Sequence, residues 1–283
     1  MSTSMATRHA AFRDLHAAGC FVIPNPWDAG SARLMAAFGA KALATTSAGF
    51  AFTLGRPDMG QVSRDEALAH AAQIVAATGL PVSGDFENGF GDAPEYVAET
   101  VRLAREAGLS GCSIEDTQMT QGHPAYAFDL AVERIRSAAA AARALPDPFV
   151  LCARADGVMN GAYDLAEAVR RIVAFAQAGA DLLYVPILPD AEAVRRVVMA
   201  TEKPVNVLAA GAMAKLPVRE IAALGARRIS VGSQVARITH AAIVKAARDM
   251  LAAGRFDTFA NAARGGDIDA LLAKGAGAAP SGN

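Results

Sequence analysis

Short runs of apolar, often β-branched residues alternate along the chain with longer segments whose apolar positions recur every three or four residues, the periodicities of strands and amphipathic helices. The strand-like runs fall at residues 21–24, 40–45, 81–85, 111–115, 149–154, 182–185, 205–208 and 228–231. Helical spacing appears between them, in DEALAHAAQIVAAT, EYVAETVRLAREAG and DLAEAVRRIVAFAQAGA, the last setting Leu165, Val169, Ile172, Val173 and Ala176 on one face. Gly39, Gly79, Gly108, Gly179 and Gly225 each stand shortly before the next strand, where a left-handed glycine closes a helix.

Eight such units, repeating about every thirty residues without a linker, predict the α/β class and a (β/α)8 TIM-type barrel with extra N- and C-terminal helices. A doubly wound open sheet would need a phosphate fingerprint after the first strand, and NPWDAGSA is not one. The expected organisation is a single barrel domain over residues 1–273. It includes an N-terminal helix around 8–18 and helices after 233 and around 256–272, and residues 274–283 form a flexible Gly/Ala/Ser/Pro tail.

Of the 283 residues 53% are hydrophobic and 19% charged, which supplies a large core and argues against disorder. The net charge of −1, with both signs interspersed, offers no footprint for nucleic acid or an anionic membrane. No apolar run approaches the roughly 20 residues of a membrane span. Arg8, His9, Arg13, Asp14 and His16 interrupt the start of the chain, so neither signal peptide nor anchor is read there and a cytoplasmic location is expected. Three cysteines cannot all pair. Cys112 and Cys152 lie in apolar segments and Cys20 just before one, which reads as structural thiols in a reducing compartment.

In a parallel barrel the C-terminal strand ends converge on one mouth. There the sequence places Asn25 and Asp28, then Ser47, Gly49 and Asp58, then Asp85 and Glu87, Glu115 and Asp116, Arg154 and Asp156, Asn206, and Ser233 with Gln234. Asp85, Glu87 and Glu115 come from adjacent strands, and gathered carboxylates repel unless a cation or protons intervene. Hard oxygen ligands suit Mg²⁺, which takes one or two direct carboxylates and keeps several waters. Arg154 is either a fork for a substrate carboxylate or a salt-bridge partner of Asp156 or Glu115. Trp27, Phe52 and Phe86 read first as packing residues, with Phe50 on the substrate side.

The motifs PNPWDAGSARL, TTSAGFAFTLGRPD, GDFENGFGD, SIEDTQ, ARADG and NVLAAG resemble, in order and spacing, those of the isocitrate lyase and phosphoenolpyruvate mutase superfamily, over nearly the whole chain. The resemblance implies a barrel with Mg²⁺, or alternatively Mn²⁺, at its mouth, a 2-oxo or 2-hydroxy carboxylate substrate and a metal-stabilised enolate. Carried over by position, Asp85 corresponds to the direct metal ligand, with Glu87 and Glu115 acting through water. Ser47, Ala48 and Gly49 resemble the substrate-carboxylate cradle; Phe50, an aromatic read first as packing, and Asn206, at the end of the seventh strand, are further substrate-contact candidates from their positions. Arg154 and Asp58 match catalytic positions, and His123 in the lid is an acid or base candidate. The family also implies a homotetramer that exchanges C-terminal helices.

The chain departs from the best-known members in its lid. Where isocitrate and methylisocitrate lyases carry a Lys-Lys/Arg-Cys-Gly-His loop, this chain reads TQMTQGHPAY, and Pro186 stands near the position of their sixth-strand glutamate. The phosphonate-acting members use lysine and asparagine in that loop, and both are missing here. The leading expectation is therefore a C–C bond lyase or decarboxylase. A P–C bond phosphonomutase or phosphonopyruvate hydrolase comes second, and a non-catalytic 2-oxo acid binder third.

Overall fold

The structure is a computed structural model that describes residues 4–280. All eight expected strands form: β1 Phe21–Ile23, β2 Leu43–Ala44, β3 Val82–Asp85, β4 Gly111–Glu115, β5 Val150–Arg154, β6 Leu182–Tyr184, β7 Val205–Leu208 and β8 Arg228–Ser230. The helices are α1 Met5–Leu15, α2 Ala29–Ala37, α3 Ser47–Thr53, α4 Arg64–Ala77, α5 Pro94–Glu106, α6 Phe128–Arg143, α7 Gly157–Asn160, α8 Leu165–Ala178, α9 Ala191–Met199, α10 Val218–Ala223, α11 Gln234–Ala247 and α12 Gly265–Ala276. Every strand pair is parallel, in the ladder order β1-β8-β7-β6-β5-β4-β3-β2, a nearly closed barrel.

The seam between β1 and β2 is joined differently. One backbone bond crosses it, from Ala44 N–H to the Pro24 carbonyl (3.0 Å). Asn25 completes it: its amide donates to the Thr45 carbonyl (2.9 Å), and its Oδ1 accepts from the N–H groups of Val231 and Gly232, each at 2.9 Å. A polar side chain at the end of β1 thus clasps the first, second and eighth strands together.

Apolar side chains fill the barrel and the layer between strands and helices. Inside, Phe21, Ile23, Val150, Cys152 and Leu182 meet Phe12 of α1, which closes the N-terminal end. The three cysteines are free thiols, with Cys112 and Cys152 fully buried. Among the described residues no helix is long and apolar enough to cross a membrane.

Four expectations need correction. The stripe that α8 buries is Ala168, Arg171, Ile172, Phe175 and Ala178, because the Arg171 ion pair with Asp116 turns that face inward, leaving Leu165, Val169, Val173 and Ala176 half-buried. Gly39, Gly108, Gly179 and Gly225 take positive φ, but Gly79 does not: α4 ends at the extended Thr78, and Gly79 N–H donates to the Ala278 carbonyl (2.8 Å). The last helix starts at Gly265 rather than near 256, since the Gly265-Gly266 pair disfavours a helix interior. Within the expected tail, Gly275 packs where a Cβ would fall 1.9 Å from the Arg33 carbonyl oxygen, so that part is held against α2. Residues 281–283 of that tail lie outside the described residues.

His16 just after α1 shows what closing the barrel end demands. Its Nδ1–H donates to the Phe12 carbonyl (2.8 Å), its ring meets Phe12 and Phe21 edge-on, and Nε2 is buried without a partner. Burial, then the nearby Arg228 charge, push its pKa down to about 3 against the opposing Phe12 carbonyl. A depressed histidine leaves stability complete above its unfolded value near 6.5 and lost as pH falls from there toward 3. Across that window His16 should contribute up to about 1.4 kcal/mol of destabilisation per pH unit. Urea midpoints measured from pH 7 to 5 should fall more steeply for the wild type than for His16→Leu.

Candidate active site

The mouth is organised around Asp85, the last residue of β3. Its Oδ2 accepts from both the N–H and the hydroxyl of Ser47, each at 3.0 Å, and Oδ1 accepts from Arg154 Nη1 at 2.8 Å and Ser113 Oγ at 3.2 Å. Its own N–H donates to Thr45 Oγ1 (2.7 Å). Ser47 opens α3, capped by Thr46, so the carboxylate sits where helix N–H groups favour an anion.

Arg154 ends β5 and is 12% exposed. Nε and Nη2 grip the two oxygens of Asp156 (3.1 and 2.6 Å), Nη1 holds Asp85, and Nη2 lies 3.6 Å from Glu115 Oε2, while the guanidinium rests over the Tyr184 ring. Burial disfavours its charge, but Asp156, Glu115 and Asp85 together hold its pKa well above the ordinary arginine value.

Three further carboxyl groups surround this pair. Glu87 is 4% exposed and has a left-handed backbone (φ 46°); Oε1 accepts from Gly60 N–H at 3.0 Å and Oε2 has no partner. Burial, with the charges of Asp85 and Asp58 added, raises its pKa to about 7 against the Gly60 hydrogen bond. Glu115 is pushed well up by burial, with Asp156 and Asp85 adding to the shift and Arg154 opposing it. Asp58 is raised chiefly by burial. Asp58 Oδ1 and Glu115 Oε2 are also buried without hydrogen-bond partners. The non-glycine residues at positive φ, Met59, Glu87, Phe90, His123 and Ile187, all lie in loops beyond strand C-termini, so backbone strain gathers at this end.

An oxygen-only donor set with three unpartnered buried carboxyl oxygens fits a hard divalent cation. Among the described residues no three Asp, Glu, His or Cys side chains form a ready-made ligand set. Asp85, Glu87 and Glu115 lie together at the mouth, and both oxygens of Asp85 are taken by Ser47, Ser113 and Arg154.

Other candidates are placed less as the sequence suggests. The Ser47 donors expected for a substrate carboxylate hold Asp85, and Gly49 N–H is taken by Thr46 Oγ1 (3.2 Å), while Ala48 is packed. Arg154 is not an open fork, because Asp156 two residues along occupies its outer edge. Asn206 binds Ser230 Oγ and Arg228 Nε, each at 2.8 Å, and serves as an interior bracket between β7 and β8 rather than as a free substrate contact. His123 lies in a tight lid turn, its N–H on the Thr120 carbonyl and its Nδ1 buried without a hydrogen-bond partner. Phe50 stacks on His70 at 3.7 Å and joins Ser47, Asp85 and Glu87 around a space of about 10 Å³. A second space of about 50 Å³ lies between Asp85, Ser113, Arg154 and Tyr184. The roomier cleft, about 580 Å³, opens outside Glu87 between Gly60, Phe90, Tyr96 and Met119.

Sequence reasoning passed over Thr45, Ser113, Tyr184 and the pair Asp116–Arg171. Ser113 was findable, since strand alternation puts it on the same face as Glu115, and it lies in register with Asp85. Arg171 gives no such signal, because on a helix it reads as an ordinary surface charge.

The sequence profile described as phosphoenolpyruvate phosphomutase matches residues 12–251. A crystal structure from Burkholderia cenocepacia J2315, described no more closely than as a lyase/mutase, is 49% identical with a TM-score of 0.92, covering 98% of this chain and 99% of that one. The 2,3-dimethylmalate lyase of Eubacterium barkeri is 33% identical over 183 residues, 62% of each protein. Oxaloacetate acetylhydrolase bound to the inhibitor 3,3-difluorooxalacetate superposes with a TM-score of 0.82 at 26% identity, over 95% of this chain and 93% of its own.

Removing the central cation should destabilise the metal-free protein, because Asp85, Asp156 and Glu115 would face one another unpaired. Arg154→Met should lower unfolding free energy by about 3–5 kcal/mol in urea titrations with EDTA, and Arg154→Lys by clearly less.

Proposed function

This chain belongs to the phosphoenolpyruvate phosphomutase family, within the isocitrate lyase/PEP mutase superfamily of enzymes, and we propose that it is a Mg²⁺-dependent lyase or decarboxylase cleaving a C–C bond of a 2-oxo or 2-hydroxy carboxylate. Superfamily members are lyases and mutases of 2-oxo acid substrates and are generally Mg²⁺-dependent. The observation that carries the reading is the cluster of Asp85, Glu87, Glu115 and Asp58, with its unpartnered buried oxygens, set against Arg154 at the barrel mouth.

In this reading Asp85 would hold the cation directly, with Glu87 and Glu115 supporting it through water. When bound, the cation supplies a Lewis acid that stabilises negative charge on a substrate oxygen. Once a ligand draws Asp85 away, Ser47 N–H and hydroxyl become donors to a carboxylate at the start of α3. Arg154 keeps positive charge beside the enolate that C–C cleavage leaves behind. Asp58, with its raised pKa, holds or returns the proton. The lid segment TQMTQGHPAY has no lysine or arginine to neutralise a transferring phosphoryl group, which favours C–C over P–C chemistry. Three free thiols suit a reducing compartment, here the cytoplasm.

Self-association belongs to the same proposal. Of α11 only Ala236 is buried, while Ile238 and Ile243 are 67% and 63% exposed. An apolar groove of about 480 Å³ lies open beside β1, lined by Phe21, Val22, Met35 and Phe38. A homotetramer in which α11 crosses to a neighbour covers both surfaces, while α12 stays on its own α2. Light scattering should report a tetramer, and a double Ile238→Asp, Ile243→Asp variant should run as a smaller species. A monomeric wild type would sink this assignment.

The enzymatic test is turnover of oxaloacetate, 2,3-dimethylmalate, 2-methylisocitrate and phosphonopyruvate with Mg²⁺ and again with EDTA. Metal-dependent C–C cleavage of at least one is expected, and Asp85→Ala should lower kcat/KM by about a thousandfold with the fold intact by circular dichroism. Phosphate release from phosphonopyruvate alone would favour the mutase reading, and binding without turnover the binder.

A further inference from the structure

The loop over the mouth, residues 117–125, stands on two feet. Thr117 and Ala125 form an antiparallel bridge, Gln118 N–H donates to the Pro124 carbonyl (2.8 Å), and below them Tyr126 N–H donates to the Asp116 carbonyl (2.8 Å). Arg171, on the buried face of α8, reaches both feet. Its Nη1 donates to Asp116 Oδ2 and its Nη2 to the Tyr126 carbonyl, each at 2.9 Å, and Glu167 Oε1 accepts from its Nε at 2.8 Å.

The connection continues into the site. Asp116 Oδ2 also accepts from the Tyr163 hydroxyl (2.7 Å), and Asp116 Oδ1 accepts from Asp156 N–H (2.9 Å). The Asp156 carboxylate is the one that grips Arg154, and Arg154 holds Asp85. Two carboxylates and two guanidiniums therefore link the lid to the central aspartate. The chemistry of proton transfer and bond cleavage does not use Arg171, yet 5% exposure and three acceptors fix it in place.

We propose that Arg171 is a positioning residue that fastens both ends of the lid and couples its closure to the alignment of Arg154 and Asp85. The coupling rests on the reading of Asp85 as the centre of the active site, whereas the fastening does not. A planar fork suits the task, because Nη1 and Nη2 are separate nitrogens aimed at Asp116 and Tyr126, whereas a lysine gathers its three N–H groups on a single one.

Hydrogen exchange tests both parts without a substrate. In Arg171→Lys, which keeps the charge beside Asp116, the amides of Gln118 and Tyr126 should exchange about tenfold faster, the worth of one charge-assisted hydrogen bond, and the Asp156 amide should follow them. Glu167→Ala removes the acceptor that orients Arg171 together with a surface pair to Arg170, and lies on an accessible helix face. It should raise the same amides roughly threefold. Amides inside β4 and β5 should not change in either variant. Unchanged lid amides, or an equal rise in β4 and β5, would overturn the fastening and leave Arg171 a structural residue. A loosened lid with a wild-type Asp156 amide would overturn the coupling. With an active substrate, Arg171→Lys should lower kcat about tenfold with a smaller change in KM. A wild type that turns over no 2-oxo acid counts against the functional reading alone, since the exchange results stand without it.

Discussion

Taking a guanidinium out of water is unfavourable by several kcal/mol unless anions meet it at hydrogen-bonding distance. At Arg154 the barrel supplies those anions from separate places: Asp156 from the same strand end, Asp85 from β3 and Glu115 from β4. Their positions are set by the parallel register, which puts Glu115 opposite Arg154 and Asp85 opposite Ser113. Much else at the mouth follows. Asp85 is fixed for Ser47, while burial, with the neighbouring carboxylate charges added, raises the proton affinities of Glu87 and Asp58 behind it.

The Asp85–Arg154 pair as folded is satisfied within the protein, unlike the carboxyl groups around it. The anion at the start of α3 is the protein's own Asp85, and the spaces beside it hold little more than water. On the proposed reading, a ligand that brought both a cation and a carboxylate would replace two interactions with two of the same kind, so its entry would exchange partners rather than create an isolated charge. The larger cleft outside Glu87, walled by the loops after β2, β3 and β4, is the natural approach. The strained residues Met59, Glu87, Phe90 and His123 lie in those loops.

Much of this was legible in the chain because it depends on local pattern. Strand periodicity located all eight strands, and their polar ends located Asp85, Glu87, Glu115 and Arg154, since a parallel barrel has only one mouth. Side-chain partnership was less accessible. Asn206 looks like a mouth residue until Arg228 and Ser230 are seen to use both ends of its amide. Arg171 looks solvated until the fold brings Asp116 to it across 55 positions of sequence. His123 echoes a motif, but its left-handed backbone in the lid turn is not something the motif reveals. Such choices depend on which donor reaches which acceptor in three dimensions, and no spacing rule encodes that.

The Asn25 clasp has a bearing on how the protein is born. Its amide oxygen waits for Val231 and Gly232, whose N–H groups lie 206 and 207 positions further along the chain, and β1 has no ladder neighbour but β8. On a ribosome the first strand therefore emerges long before its partner exists. The growing chain carries an open, curling sheet with two bare edges until nearly the whole barrel has been synthesised. During that interval those edges are available to other chains, and chaperone contact on the nascent polypeptide is most valuable there.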